Sequence, residues 1–288
     1  MKRILIAGID SYIGNSIKKW LNDCDDNYII DEIDMRNDEW EKKDFFEFDV
    51  ILYIAGIVHI KEKKELWPLY HNVNTLLPYK VALKAKYCGV PHFVFFSTKG
   101  VYKPNTKHIN FDTQPAPTKM YGKSKLEGEK LLLPLNNVDF HVSILRPAVV
   151  YGEGCKGNFP RLVILSEKMH VFPQCTSRRS MIYIWNLCEY VRRVIEQPLK
   201  KTILFPQDRK PVSTTNIMKE LWRARGERYY VSKFGGLCVK YLIKMPGLNT
   251  LKTMFMETIY DETISNDFNY EYCVYTFEQA IQKVALTK

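Results

Sequence analysis

The sequence predicts an α/β fold: a doubly wound, Rossmann-like parallel sheet with a smaller C-terminal region. Three observations carry that expectation. Short apolar runs alternate with helical stretches over residues 1–150, the first run ends on Gly8 and opens straight into an amphipathic stripe, and beyond Tyr151 the alternation gives way to loops and short elements. Strands alternating with helices imply a parallel sheet covered on both faces, because each right-handed crossover lays its helix on one side.

Residues 3–7 (RILIA) read as the first strand. Ile13, Ile17, Trp20 and Leu21 follow at i, i+4, i+7 and i+8, the stripe of a helix with one buried face. YIIDEI (28–33), VILYIA (50–55) and HFVFFS (92–97) read as further strands, and a helical stretch from about Trp67 to Cys88 precedes the last of them. A helix carrying Tyr121 comes next, then the strand HVSIL (141–145) before Arg146-Pro147. GEGCKGNFP (152–160) is loop-like, and RSMIYIWNLCEYVRRVIE (179–196) reads as a strand feeding a helix. The expected division is a first domain at 1–152, to which 179–205 returns, and a second region made of 153–178 and 206–288. No Pro-, Gly- or Ser-rich linker separates them.

At 288 residues, with 46% apolar and 26% charged side chains, the chain has an ordinary globular balance. No run approaches the roughly 20 apolar residues of a membrane helix, and the apolar run in MKRILIAGID is too short for a signal sequence, so a cytoplasmic protein with no integral membrane segment is expected. Seven scattered cysteines without a C-x-x-C pair suit reduced thiols, and neither they nor the six histidines (His59, His71, His92, His108, His141, His170) show metal-ligand spacing; no metal is expected. The formal charge of +10 is spread along the chain, and its densest cluster, KEKK at 61–64, is broken by Glu62, so no nucleic-acid surface is expected. FGGLCVKYLIKMPGL (234–248) fits either a basic amphipathic helix resting on a membrane or a helix buried beneath the C-terminal region. Its two glycines and Pro246 shorten it and favour burial.

Gly8, Ser11, Tyr12, Ile13 and Gly14 lie in the first strand-to-helix turn, where a dinucleotide pyrophosphate would meet backbone N–H groups at the positive end of a helix. Ser11 replaces the usual central glycine; it is small, and its hydroxyl can donate to a phosphate oxygen. A plain tight turn fits the same residues. Asp34 closes the second strand as a ribose-hydroxyl acceptor and would favour NAD, whereas Arg36 would pair with a 2′-phosphate and favour NADP, so the cofactor stays open. Ala55-Gly56 supplies small residues after the third strand. Within TKMYGKSKLEGEK, Tyr121 stands four residues before Lys125, which on a helix places both side chains on one face with Cβ atoms roughly 5–6 Å apart. Spacing alone fits a solvated surface helix as well as a phenol held beside an ammonium.

Read together, Gly8…Gly14, Ala55-Gly56, Asn74, STKGVY (97–102), YGKSK (121–125), LRPAVVYG (145–152) and RSMIYIWN (179–186) resemble the extended short-chain dehydrogenase/reductase family of nucleotide-sugar epimerases, dehydratases and reductases. Within it the chain is most similar to bacterial enzymes of capsule and O-antigen sugar synthesis. The resemblance spans about residues 1–205 and implies an NAD or NADP cofactor held by the turn residues, Asp34 or Arg36, Ala55, Gly56, Asn74, Pro147, Tyr121 and Lys125. It implies catalysis by Thr98, Tyr121 and Lys125, with the lysine favouring phenolate on a tyrosine whose ordinary pKa of about 10 makes it a poor base. A UDP-sugar substrate would meet Asn158 and Phe159, with Arg179 on the diphosphate and Arg178 an equal chemical candidate; the second region is thereby a substrate-binding region, and a homodimer is implied. Departures are Ser11, Tyr53 where histidine is common, Lys103 for glycine and Asn186 for aspartate.

The expected reaction is reduction of the 4-keto group of a UDP-4-keto-6-deoxy-N-acetylhexosamine. The alternative is a UDP-sugar 4-epimerase with tightly bound NAD, and a third reading is a non-catalytic NAD(P) sensor. 4,6-Dehydration is not expected, since Lys99 and Gly100 stand where the dehydratases of the family carry an aspartate and a glutamate.

Overall fold

The computed structural model describes residues 1–24, 27–58, 62–243, 245 and 255–287, in two compact units. His59 and Lys61 lie outside the described residues, as do 244 and 246–249 of the basic C-terminal segment.

The first unit comprises Met1–Pro104, Thr113–Ala148 and Leu187–Pro206. Its apolar runs form a six-stranded parallel sheet of β1 (Lys2–Ala7), β2 (Tyr28–Ile33), β3 (Val50–Tyr53), β4 (His92–Phe96) and the strands His141–Leu145 and Ile203–Leu204. Across the sheet the order is Ile203–Leu204, His141–Leu145, β4, β3, β1, β2, so the winding direction reverses between β1 and β3. In open α/β sheets a ligand crevice forms outside the carboxyl ends of the strands at such a reversal. Ile4, Leu5, Ile6 and Ala7 are fully buried, as are Phe93, Val94 and Phe95 of β4, which is why these strands read as unbroken apolar runs. β3 stops at Tyr53, short of the expected Ala55, because the N–H groups of Ile54 and Ala55 both turn to the Ala7 carbonyl, at 3.0 and 2.9 Å.

The helix Tyr12–Cys24 buries Gly14, Ser16, Ile17 and Leu21; of the predicted stripe Ile17 and Leu21 are buried, and Ile13 and Trp20 are half-buried. The helix from Trp67 to Tyr87 is α-helical over Trp67–His71 and Leu77–Tyr87, with a π-turn at Asn72–Leu76 between them. Pro78 accounts for the interruption: it has no N–H for the Asn74 carbonyl four residues back, and the Leu77 N–H reaches Asn72 instead. Ala82, Ala85 and Val81 of this helix pack with Phe93, Phe95, Tyr53 and Ile51 of the sheet.

The second unit comprises Asn105–Asp112, Val149–Asn186 and Gln207–Lys288. Four short strand pairs organise it. Val149–Tyr151 runs parallel to Met181–Tyr183, Arg178–Arg179 antiparallel to Val212–Ser213, Val171–Pro173 parallel to Tyr230–Ser232, and His108–Ile109 parallel to Ile259–Tyr260. These pairings draw 105–112, 149–152 and 179–186 into the second unit, whereas the sequence reading assigns them to the first. The helices Phe159–Lys168, Thr214–Ala224 and Phe277–Leu286 close a core that includes Tyr151, Phe159, Tyr183 and Trp222. One expectation is corrected: the helix Lys233–Leu242 buries Val239 but leaves Phe234, Leu237 and Tyr241 exposed, so most of its large apolar side chains are not buried beneath this unit. No helix among the described residues is long and apolar enough to cross a membrane.

Candidate active site

The first turn is shaped by close backbone approach. Gly8 has φ +130°, and a Cβ there would lie 2.8 Å from the Ala55 nitrogen, so only glycine fits between the ends of β1 and β3. Ser11, the departure from the glycine pattern, has a local role: the Gly14 N–H donates to Ser11 Oγ at 3.0 Å, capping the third position of the helix. The hydroxyl proton of Ser11 is not consumed by that bond. The helix carries no acidic side chain in its first turn, so its positive end is not neutralised from within. Tyr12 and Ile13 open the helix and are half-buried.

Asp34 and Arg36, the two residues that point to different cofactors, hold each other. Arg36 Nε donates to both Asp34 oxygens at 2.8 and 3.0 Å, the Arg36 N–H adds a third bond at 2.9 Å, and Arg36 Nη2 reaches Asp10 at 3.3 Å. Arg36 beside it holds the Asp34 carboxyl below its ordinary range.

Thr98, Tyr121 and Lys125 come together at the ends of β3 and β4. Thr98 follows β4; its Oγ accepts the Gly100 N–H at 3.0 Å, capping a short 3-10 turn, and its side chain lies near the Tyr121 phenol. Tyr121 and Lys125 lie on the helix Met120–Leu132. Burial pushes the Tyr121 phenol up to about 12, partly offset by the neighbouring Thr98 hydroxyl. Lys125 is buried, and desolvation drives its ammonium down to about 7, opposed by Glu129. Its Nζ donates to the carbonyls of Phe96 (2.9 Å) and Ala55 (3.5 Å) and stands 4.6 Å from the Phe95 ring centre. Desolvation is the largest influence on both groups.

Several residues that position this set were not found from the sequence. A Cβ on Gly122 would lie 2.1 Å from the Gly100 carbonyl oxygen and one on Gly128 would lie 2.7 Å from the Asn74 carbonyl oxygen, so small residues let the helix seat directly on the Thr98 turn and on the π-turn. Ser124 Oγ donates to the Tyr121 carbonyl and accepts from Asn74 Nδ2, both at 3.0 Å. Asn74, fully buried, also accepts the Ile57 N–H at 2.8 Å and donates to the Ile57 carbonyl at 3.2 Å, fixing the loop of Ala55-Gly56. Glu129 is the third member of an i, i+4, i+8 stripe with Tyr121 and Lys125; it pairs with Arg146 and accepts the Ser97 hydroxyl, while Arg146 Nη1 donates to Tyr102 at 2.7 Å. That spacing was the one available signal. Pro147, buried, follows Arg146 directly.

Asn158, Phe159 and Arg179 lie in the second unit. Phe159 is buried and its ring packs on Tyr151 at 5.1 Å, so its side chain belongs to the core. Asn158 is exposed before the helix Phe159–Lys168. Arg179 and Arg178, alike in sequence, separate in space: Arg178 is exposed, whereas burial lowers Arg179 to about 10 and its Nη2 donates to Thr214 at 3.0 Å. Asn186, which stands for an aspartate, donates to Asp208 at 2.8 Å; Asp208 also accepts from Tyr151 at 3.0 Å and from the Tyr183 N–H, and burial raises it to about 6. The carboxylate is thus supplied from a different position of the chain. Among the described residues no three His, Cys, Asp or Glu side chains come together as a metal would need.

Residues 4–203 match the model of the NAD dependent epimerase/dehydratase family. The chain belongs to that family. It is 29% identical over 245 residues to the UDP-glucose 4-epimerase of Vibrio cholerae, covering 76% of this chain and 75% of the relative. It is 26% identical over 216 residues to an Escherichia coli O157:H7 N-acetyl-α-D-glucosaminyl-diphospho-ditrans,octacis-undecaprenol 4-epimerase, covering 69% of this chain and 64% of the relative. The solved UDP-N-acetylglucosamine 4-epimerase of Bacillus cereus shares the fold, with a TM-score of 0.75 over 99% of both chains at 16% identity.

An enzyme of this family works with NAD or NADP, and the residues present fit such a group. Gly8 and Gly14 let the turn close on Ala55 and on Ser11 Oγ, which shapes the positive end of the first helix. A Cβ on Gly56 would stand 3.0 Å from Asn74 Oδ1 and 3.1 Å from Lys125 Nζ, so the glycine lets the Asn74 amide and the Lys125 ammonium close on the loop after β3. When bound, the dinucleotide supplies the hydride acceptor and donor and a positive ring that favours phenolate. Lys125, the Gly8–Gly14 turn and the Ala55-Gly56 loop are the groups that would hold it.

Proposed function

We propose that this protein is a UDP-sugar 4-epimerase. The observation that carries the reading is the grouping of Thr98, Tyr121 and buried Lys125 at the end of β4, in a chain aligned over most of its length with two C4 epimerases. In this reading Thr98 hydrogen-bonds the C4 oxygen and steers it to Tyr121. Tyr121 takes the hydroxyl proton as the C4 hydrogen leaves, and returns it after the sugar ring presents its other face. Lys125 stabilises the phenolate. Arg179, the desolvated arginine, pairs with the UDP diphosphate through its planar fork, and Asn158 lies on the same substrate-binding region. The active species is a cytoplasmic homodimer, tested by sedimentation and fractionation.

A second reading, reduction of a UDP-4-keto-6-deoxy-N-acetylhexosamine, is favoured by one observation. Asp34 already carries Arg36 on both oxygens, so an adenosine ribose must compete for it, which suits a cofactor that exchanges at every turnover. One experiment separates the two. Purified protein is incubated with UDP-glucose and with UDP-N-acetylglucosamine without added cofactor, and separately with UDP-4-keto sugars and NADH or NADPH. Formation of the C4 epimers in the first arm supports the epimerase; nicotinamide oxidation in the second arm alone replaces it with the reductase.

A further inference from the structure

We propose that the helix Lys233–Leu242 docks the protein on an anionic lipid surface. The way this helix is seated determines which face is presented. A Cβ on Gly236 would lie 2.2 Å from the Gln174 carbonyl oxygen, and one on Gly235 would lie 3.2 Å from Ser232 and 3.5 Å from Pro173, so the paired glycines are the buried face, joined by Val239. Ser232 Oγ accepts the Gly235 N–H at 2.9 Å and caps the start. With the small side inward, Phe234, Leu237 and Tyr241 stand at i, i+3 and i+7 on the opposite side, 76%, 57% and 70% exposed, and Met245 beyond the helix is 54% exposed. Tyr230 and Val171, paired across the adjoining strands, extend the exposed apolar surface.

Large exposed apolar side chains on one face mark an interaction site, and the charge around them selects the partner. Lys233 and Lys240, both exposed, flank Leu237 at i−4 and i+3. Residues 228–256 contain Arg228, Lys233, Lys240, Lys244 and Lys252 and no aspartate or glutamate. An apolar stripe flanked by Lys233 and Lys240 matches the boundary between acyl chains and anionic headgroups, where lysines reach phosphate while the aromatic and aliphatic side chains enter the lipid. A second copy of the chain fits poorly, because a two-fold contact through this face would bring the same lysines together.

The test is vesicle sedimentation of the full chain with phosphatidylcholine alone and with phosphatidylcholine mixed with phosphatidylglycerol, alongside analytical ultracentrifugation without lipid. The wild-type protein should partition onto the phosphatidylglycerol vesicles, less so at raised salt, and scarcely onto phosphatidylcholine. The double variant Phe234→Ser/Leu237→Ser keeps the net charge and alters only exposed positions; it should keep its melting temperature and lose at least about tenfold in partitioning. Failure of the wild type to bind, or equal binding by the double variant, would overturn the proposal, the latter assigning attraction to the overall charge. Self-association that the double variant abolishes, without vesicle binding, would overturn it in favour of a copy-to-copy interface.

Discussion

Lys125 and Tyr121 are each pushed by burial away from their charged forms, the ammonium down to about 7 and the phenol up to about 12. Such a pair is poised for a further charge to tip: any cation arriving beside the phenol favours phenolate, and any anion arriving beside Lys125 favours ammonium. Tyr121→Phe removes the proton carrier and almost no volume, so turnover should fall by about 10²-fold or more while dinucleotide affinity, measured by calorimetry, stays near wild type. Arg179→Ala should weaken UDP binding without weakening dinucleotide binding, and Arg178→Ala should leave both unchanged, since only Arg179 is desolvated. Thr98, Tyr121 and Lys125 were legible in the sequence because their types and order follow a family pattern. The packing of Phe159 on Tyr151 was not legible, because an aromatic side chain beside a loop looks the same in sequence whatever it faces.

The helix Met120–Leu132 shows what spacing conveys and what it hides. Its i, i+4, i+8 stripe of Tyr121, Lys125 and Glu129 is a pattern in sequence, but the glycines that seat the helix show their purpose only against the groups they meet. Gly122→Ala must move the Gly100 carbonyl, which a Cβ would approach to 2.1 Å, and the Thr98 turn with it. The variant should lose about 1–3 kcal/mol of stability and also turnover, whereas Lys123→Ala, at an exposed neighbour, should change neither; melting temperature and kcat measured side by side check this. Strand positions were legible because fully buried parallel strands are continuous apolar runs. The π-turn was not, since a 3.6-residue period carries no mark of one wider turn, and Pro78 alone hinted at it. The helix Lys233–Leu242 was misjudged because its glycines read as weakness in a helix, not as a contact face.

Over the whole molecule, acid lability should arise within the first unit's sheet. His92 on β4 and His141 on the neighbouring strand have ring centres 5.2 Å apart, and His92 Nε2 lies 2.9 Å from Ser143 Oγ. Burial, with His141 and Lys2 nearby, lowers His92 to about 3 from an ordinary 6.5. Between those values the unfolded chain binds more protons than the folded one, so stability should fall as pH drops through that window and level off above it. Urea unfolding of wild type and His92→Gln across the window checks this; the variant should show a shallower decline. The interleaved build of the two units has a consequence for the order of synthesis. Strand His141–Leu145 is paired on its outer side by Ile203–Leu204, so residues 146–202 must leave the ribosome before that edge is covered. At about 5–20 residues per second the apolar edge HVSIL waits on the order of several seconds with unpaired N–H and carbonyl groups, a template for unwanted strand pairing. A nascent chain stalled between residues 150 and 200 should therefore aggregate, or hold a chaperone, more readily than one released past residue 206.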